Sequence, residues 1–187
     1  MAQISRVGWG QVEPNHLSAQ KTGRIYAQLP ADNAVFGTGT TADEQAATAI
    51  LENGQFVKYN YGENKVNLSG SGAWVMVFNE VKLYDERRQA YKNFVYAAAD
   101  FTDKTMYPRV IEIGVGDIFT TNTFGKGAGA DATVPGVALD QDDDVKIDPA
   151  TGYLTAGIPV TGQPHFKVAK VYTLADGQPA VKLQRIA

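Results

Sequence analysis

AWVMVFNEVKLYD, residues 73–85, is the most apolar stretch of the chain. Successive side chains of an extended backbone point to opposite faces. Trp74, Met76 and Phe78 therefore share one face, and Val75 and Val77 share the other. A strand that is apolar on both faces has to be covered on both, so this one belongs in the middle of a layered structure. Beyond Asn79 only Val81 and Leu83 keep to one side, which predicts a strand emerging toward solvent.

Upstream lies ATAILENGQFVKYNYGENKVNLSG, residues 47–70. Asn53-Gly54 is a hairpin signal, because a type I′ turn needs positive φ at both central positions. Val57, Tyr59 and Tyr61 then alternate with Lys58 and Asn60, as in a half-buried strand. The competing reading is a helix: Thr41-x-x-Glu44 resembles a capping box, and Asn53-Gly54 would then be its C-cap. The hairpin is favoured because the strand pattern continues directly after the turn. The aromatics Tyr59, Tyr61, Trp74 and Phe78 read as core.

Downstream, ERRQAYKNFVYAAADF (86–101) spaces Tyr91, Phe94, Val95 and Ala98 as one helical stripe. It predicts a short helix, with an extended segment as the alternative. In YPRVIEIGVGDIFTTNTF (107–124), Ile111, Ile113 and Val115 fall on one face. Gly114 and Gly116 mark a bend or bulge, and Asp117 makes a turn. GKGAGADATVPG (125–136) is a flexible excursion. VKIDPATGYLTAG (145–157) predicts a hairpin turning at Pro149-Ala150-Thr151-Gly152. KVYTLADGQPAVKLQRI (170–186) predicts a final hairpin at Asp176-Gly177. Phe166, Val168, Tyr172 and Leu174 share a face of its first strand, with Lys170 as an exception. Val181 and Leu183 alternate with Lys182 and Gln184 on the second strand.

Many short strands at close spacing, separated by turn signals, give a mainly β fold: a β-barrel or sandwich body with at most one or two short helices. Residues 1–46 differ. Their apolar side chains have neither period, and glycines and prolines interrupt them. They read as an extended N-terminal arm leading into a β-rich body at 47–187. That body is divisible into 47–106 and 107–187, the latter as a small barrel. Trp9, Tyr26 and Phe36 of the arm need a surface to lie on and are the candidate partner-binding residues. An arm packed on its own body is the commoner arrangement.

The chain has 187 residues, 44% of them hydrophobic, and a net charge of -3, so it buries a core and lacks the basic balance of a nucleic-acid binder. It has no cysteine, which excludes disulfides, thiol catalysis and Cys-based zinc sites. MAQISRVGWGQVEPNH has no basic-then-apolar leader, and no apolar run reaches membrane-spanning length. The expectation is therefore a soluble protein made in the cytosol.

Candidate chemistry is sparse. His16 and His165 have no G-x-S-x-G nucleophile nearby in sequence. Asp140, Asp142 and Asp144, within DQDDDVKID, are the weak metal candidates. A calcium loop beginning at Asp140 would need Gly at its sixth position and Glu at its twelfth; Val145 and Thr151 stand there. GKGAGA lacks the Gly-Lys-Ser/Thr ending of a phosphate loop, and Asn67-Leu68-Ser69 is a sequon expected to stay idle. No catalytic residue, cofactor or small-molecule substrate is expected.

YPRVIEIGVGDIFTTNTF (107–124) and VYTLADGQPAVKLQRI (171–186) resemble segments of virion structural proteins of tailed bacteriophages, in particular small head-associated accessory proteins. LENGQFVKYN (51–60) has a weaker likeness. The resemblance implies a β-rich, non-enzymatic protein that decorates or stabilises the capsid shell. Its partners would be the major capsid protein and copies of itself, with no nucleic acid or membrane. It would be located in the virion after assembly in the host cytoplasm. The alternatives are a tail or baseplate structural protein, and a calcium-dependent ligand-binding β-sandwich using the 140–148 loop.

Overall fold

The computed structural model describes residues 10–19, 24–26, 29–31, 50–79, 95–97, 107–124, 139–174 and 177–187. Its strands are β1 (Val12–His16), β2 (Ile25–Tyr26), β3 (Ile50–Glu52), β4 (Phe56–Asn60), β5 (Lys65–Asn67), β6 (Trp74–Val77) and β7 (Val95–Ala97). They continue as β8 (Val110–Ile111), β9 (Ile118–Thr121), β10 (Asp144–Ile147), β11 (Leu154–Ala156), β12 (Phe166–Thr173) and β13 (Pro179–Arg185). A six-stranded antiparallel sheet runs β1-β9-β13-β12-β10-β11. A five-stranded antiparallel sheet runs β2-β8-β6-β4-β5, and β3 pairs with β7. The fold is mainly β, a sandwich of two antiparallel sheets.

β6 lies between β8 and β4, at the centre of the five-stranded sheet. Its residues divide as the alternation requires. Trp74 and Met76 join the larger core cluster with Phe56, Ile111, Phe119, Phe166, Val181 and Leu183, which come from both sheets. Val75 and Val77 join a second cluster with Leu51, Val57, Val66, Val110 and Ala31. The second face is covered by β3 and by the Pro30–Ala31 segment, where the Val66 amide donates to the Pro30 carbonyl at 3.0 Å. Val110 and Ile111 of β8, adjacent in sequence, feed one cluster each.

Phe166 joins the layers. Its ring lies 5.6 Å from Phe56 of the opposite sheet and 5.8 Å, edge-on, from Phe119 of its own. Such pairs add about 0.5–1.5 kcal/mol to what burial of the rings alone contributes.

Both later hairpins form. β10 and β11 pair from Ile147↔Leu154 outward, with Gly152 at φ 76° in the turn. A Cβ on Gly152 would stand 2.2 Å from the Phe56 carbonyl oxygen, so glycine is required on steric grounds as well. β12 and β13 pair over their length, and the Gly177 amide closes the turn onto the Leu174 carbonyl at 2.9 Å.

Several expectations are corrected. Asn53-Gly54 is a turn, with Gly54 at φ 85°, but it does not join a hairpin. β3 pairs with β7, while the chain after Gly54 turns to β6, the Val77 amide donating to the Gln55 carbonyl and the Gly54 amide to the Val77 carbonyl, each at 2.8 Å. Residues 95–97 are strand, the extended alternative to the helical stripe. Val115 is exposed, because the turn at 115–116 lifts it off the face of Ile111 and Ile113. Tyr61 is 71% exposed and stacks on Tyr59 instead of entering the core.

Tyr172 leaves the face of Phe166 and Val168. A bulge between Val168 and Lys170 shifts the register, so that Val171 opposes Val181 and Lys170 opposes Lys182. The bulge is also why Lys170 interrupts the alternation. Nor do 47–106 and 107–187 separate by sheet: β8 pairs with β6, and one core cluster draws on both. In residues 1–46, β1 and β2 are edge strands of the two sheets, and Leu17 and Ala19 are buried in the shared core. The described part of the leading segment packs on its own body.

Replacing Phe166 with Ala is expected to lower the unfolding free energy by about 3–5 kcal/mol. Ile158→Ala, at a side chain 70% exposed, should stay within about 0.5 kcal/mol. Urea denaturation of both variants measures the contrast.

Candidate functional site

Polar groups gather in three places among the described residues: a buried seam, the crossover from β8 to β9, and a charged ladder on the sheet surface. The seam lies where the leading segment meets the sandwich. Glu52, at the end of β3, is fully buried. Its Oε2 accepts the Gly10 amide at 2.5 Å, and its Oε1 accepts the Tyr153 hydroxyl at 2.7 Å. The Gln11 amide donates to Asn122 Oδ1 at 2.7 Å, and the Thr121 hydroxyl donates to the Gln11 carbonyl at 2.7 Å.

The same seam continues through Asn53. Its carbonyl accepts the Thr123 hydroxyl at 2.6 Å, and its side chain exchanges hydrogen bonds with the Asn79 backbone at 2.7 and 3.2 Å. Gln55 donates to the Thr151 carbonyl at 2.7 Å. A buried polar group without a partner costs about 1–3 kcal/mol, so these side chains replace the water that the interior excludes.

Asp117 does the equivalent work at the crossover from β8 to β9. It is buried, and its carboxylate accepts the Ser18 amide and hydroxyl, each at 2.9 Å, and the Gly114 amide at 2.7 Å. Arg185 donates to the Ile113 carbonyl beside it. In both carboxylates the acceptor oxygens are engaged by main-chain and hydroxyl donors, an arrangement that fixes loops in place.

The ladder lies on β10 and β12. His165 Nε2 and Asp144 Oδ1 are 2.8 Å apart. Lys167 Nζ stands 3.3 Å from Asp144 and 3.3 Å from Asp142, and donates to the Asp142 carbonyl at 2.9 Å. The His165 hydrogen bond, with help from Lys167, holds the Asp144 carboxyl below its ordinary pKa. Asp144, and then Asp142, hold the Lys167 ammonium above its own.

The metal candidates thus fall in this ladder and do not converge. Asp144 faces His165 and Lys167, Asp142 is held by Lys167 with its side chain 89% exposed, and the Asp140 amide is tied to Asp143 Oδ2 at 2.7 Å. No group of three or more His, Asp or Glu side chains suited to a metal ion occurs among the described residues. Of the partner-binding candidates, Trp9 and Phe36 lie outside the described residues, and Tyr26 belongs to β2 at the edge of the five-stranded sheet. Asn67 of the sequon is buried, its Oδ1 accepting the Ser69 amide at 3.1 Å.

Glu52 and Tyr153 were not singled out by the sequence reading. The signal for Glu52 is a lone acidic residue between Ile50-Leu51 and Phe56-Val57. Its partners lie 42 and 101 residues away, so the pattern gives no clue to what satisfies it. Comparison with family models, curated proteins and solved structures gives no match to this chain.

Asp144 carries the pH dependence of the ladder. Its folded pKa lies below the unfolded value, so its contribution to stability is present above about pH 4 and is lost as pH falls through the lowered value. Asp144→Asn is expected to reduce the melting temperature near neutral pH. The difference from the parent should shrink as pH falls below about 4, as thermal melts across that range will read.

Proposed function

We propose that this chain is a structural protein of a bacteriophage virion, decorating or stabilising the capsid shell by binding the lattice of the major capsid protein. The observation that carries the reading is where the two stretches of resemblance lie. Residues 107–124 supply β8, the crossover and β9, and residues 171–186 supply the last three residues of β12, the turn after it and all of β13. β9, β13 and β12 are consecutive neighbours in the six-stranded sheet. The likeness therefore belongs to one continuous piece of the fold.

The physical properties of the sandwich support the same reading. A lattice-binding protein needs a rigid block with fixed loops, and it needs no reactive group. Glu52 and Asp117 are engaged in fixing loops, and Asp144 and Lys167 in joining neighbouring strands. Binding in many identical copies multiplies a modest contact into stable attachment. The protein acts in the virion after assembly in the host cytoplasm, with the major capsid protein and its own copies as partners, and performs no catalysis.

Purified particles from the source test this directly. Cryo-electron microscopy should show the six- and five-stranded sandwich on the outer surface of the head. Absence of the chain from the particles would refute the reading, and density confined to the tail would move it to the tail alternative.

A further inference from the structure

The outward side of β12, where Lys170 is exposed, separates charge. Lys182 lies between buried Val181 and Leu183, and so points away from the core. Its cross-strand partner is Lys170. Two like charges directly opposite one another destabilise a sheet unless something offsets them. Neither lysine has a carboxylate partner among the described residues, the ion pairs there being made by Arg24, Lys65, His165 and Lys167. Tyr172 lies beside them, its ring centroid 5.9 Å from Lys182 Nζ. Two strands beyond Lys182, across Thr120, Glu13 is the acidic residue in the same row.

The opposite charge stands beside the first half of β12, next to the lysine pair. The turn carrying Asp140, Asp142 and Asp143 is fastened to Val168, the Asp142 amide donating to its carbonyl at 2.9 Å and the Val168 amide donating to Asp143 at 3.0 Å. Asp140 and Asp142 are exposed. Lys167 compensates Asp142 and Asp144 in part, while the exposed Asp140 has no cation partner among the described residues. One surface strip thus has a cationic half, at Lys170 and Lys182, and an anionic half, at Asp140–Asp143.

A strip with adjacent halves of opposite sign is complementary to itself when turned through a two-fold axis placed between them. We infer that this face binds a second copy of the chain, the Lys170–Lys182 pair of each copy meeting the acidic turn of the other. The contact deepens the proposed role, in which copies touch on the particle, but it is a property of the protein alone. The lysine pair that costs stability in one copy becomes favourable in the pair, and Tyr172 supplies the apolar contact beside it.

Sedimentation of the pure, full chain tests the contact. At about 20 mM salt and about 100 µM protein a dimer is expected, and about 500 mM salt should weaken it at least tenfold, because exposed charges are screened over a few ångströms there. K170E/K182E should be monomeric at low salt, and so should D140K/Q141K, both still melting cooperatively and matching the wild type at about 500 mM salt, where its dimer is weakened. Mixed in equal amounts, the two variants should recover a dimer, since each then carries the charge the other has reversed.

A wild-type monomer at low salt, a dimer indifferent to salt, or failure of the mixed variants to associate would overturn the inference. Retention of a short DNA duplex by a monomeric wild type would do the same, assigning the lysines to a different partner. None of these outcomes touches the presence of the chain in virions, which the particle assay decides separately.

Discussion

The structure depends on one constraint: the central strand of its five-stranded sheet is apolar on both faces, and each face has to be removed from water. Trp74 and Met76 meet this on one side by facing Phe119, Phe166, Val181 and Leu183 of the other sheet. Val75 and Val77 meet it on the other through Leu51 and Ala31. Each fully buried side chain of this size contributes about 1.5–3 kcal/mol, so neither face is dispensable in a fold of marginal net stability. The second covering comes from β3 and the Pro30–Ala31 segment, which is why chain far from β6 in sequence must close over it.

Covering a sheet with irregular chain brings backbone polar groups into the interior, and the buried seam answers that need. Glu52, Asn53, Gln55, Thr121, Asn122 and Thr123 are buried polar residues whose hydrogen bonds reach the main chain or side chains of other segments. Asp117 repeats the device where the chain passes from one sheet to the other. The apolar layers and the polar seam are consequently one design: the layers drive collapse, and the seam selects which loops close over them.

The strand content, the double-faced burial of β6 and both late hairpins were legible in the sequence. Each depends on alternation or on a local turn signal: Trp74 to Phe78, Asp148 to Gly152, Leu174 to Gly177. What escaped was everything decided by distant pairing. Asn53-Gly54 has the local chemistry of a hairpin, yet its flanking strands find partners elsewhere. The bulge before Lys170 shows only as a break in alternation, and a single break does not say which half has changed face. Glu52 and Asp117 are anchors because of residues brought to them by the tertiary fold, and Asp117 was visible only as a turn. The acidic residues already failed the calcium-loop spacing in sequence; that His165 and Lys167, brought alongside by the neighbouring strand, engage Asp144 and Asp142 depends on the sheet pairing.

The rigidity of the block resides in β6, which both core clusters cover. Native-state hydrogen exchange measures this most directly. The amides of Val77 and Phe78, which donate to Gln55 and Arg109 carbonyls, should exchange only through global unfolding, slower than those of the edge strands β5 and β11. Exchange of Val77 and Phe78 as fast as the edges would contradict the claim that the doubly covered strand holds the molecule together.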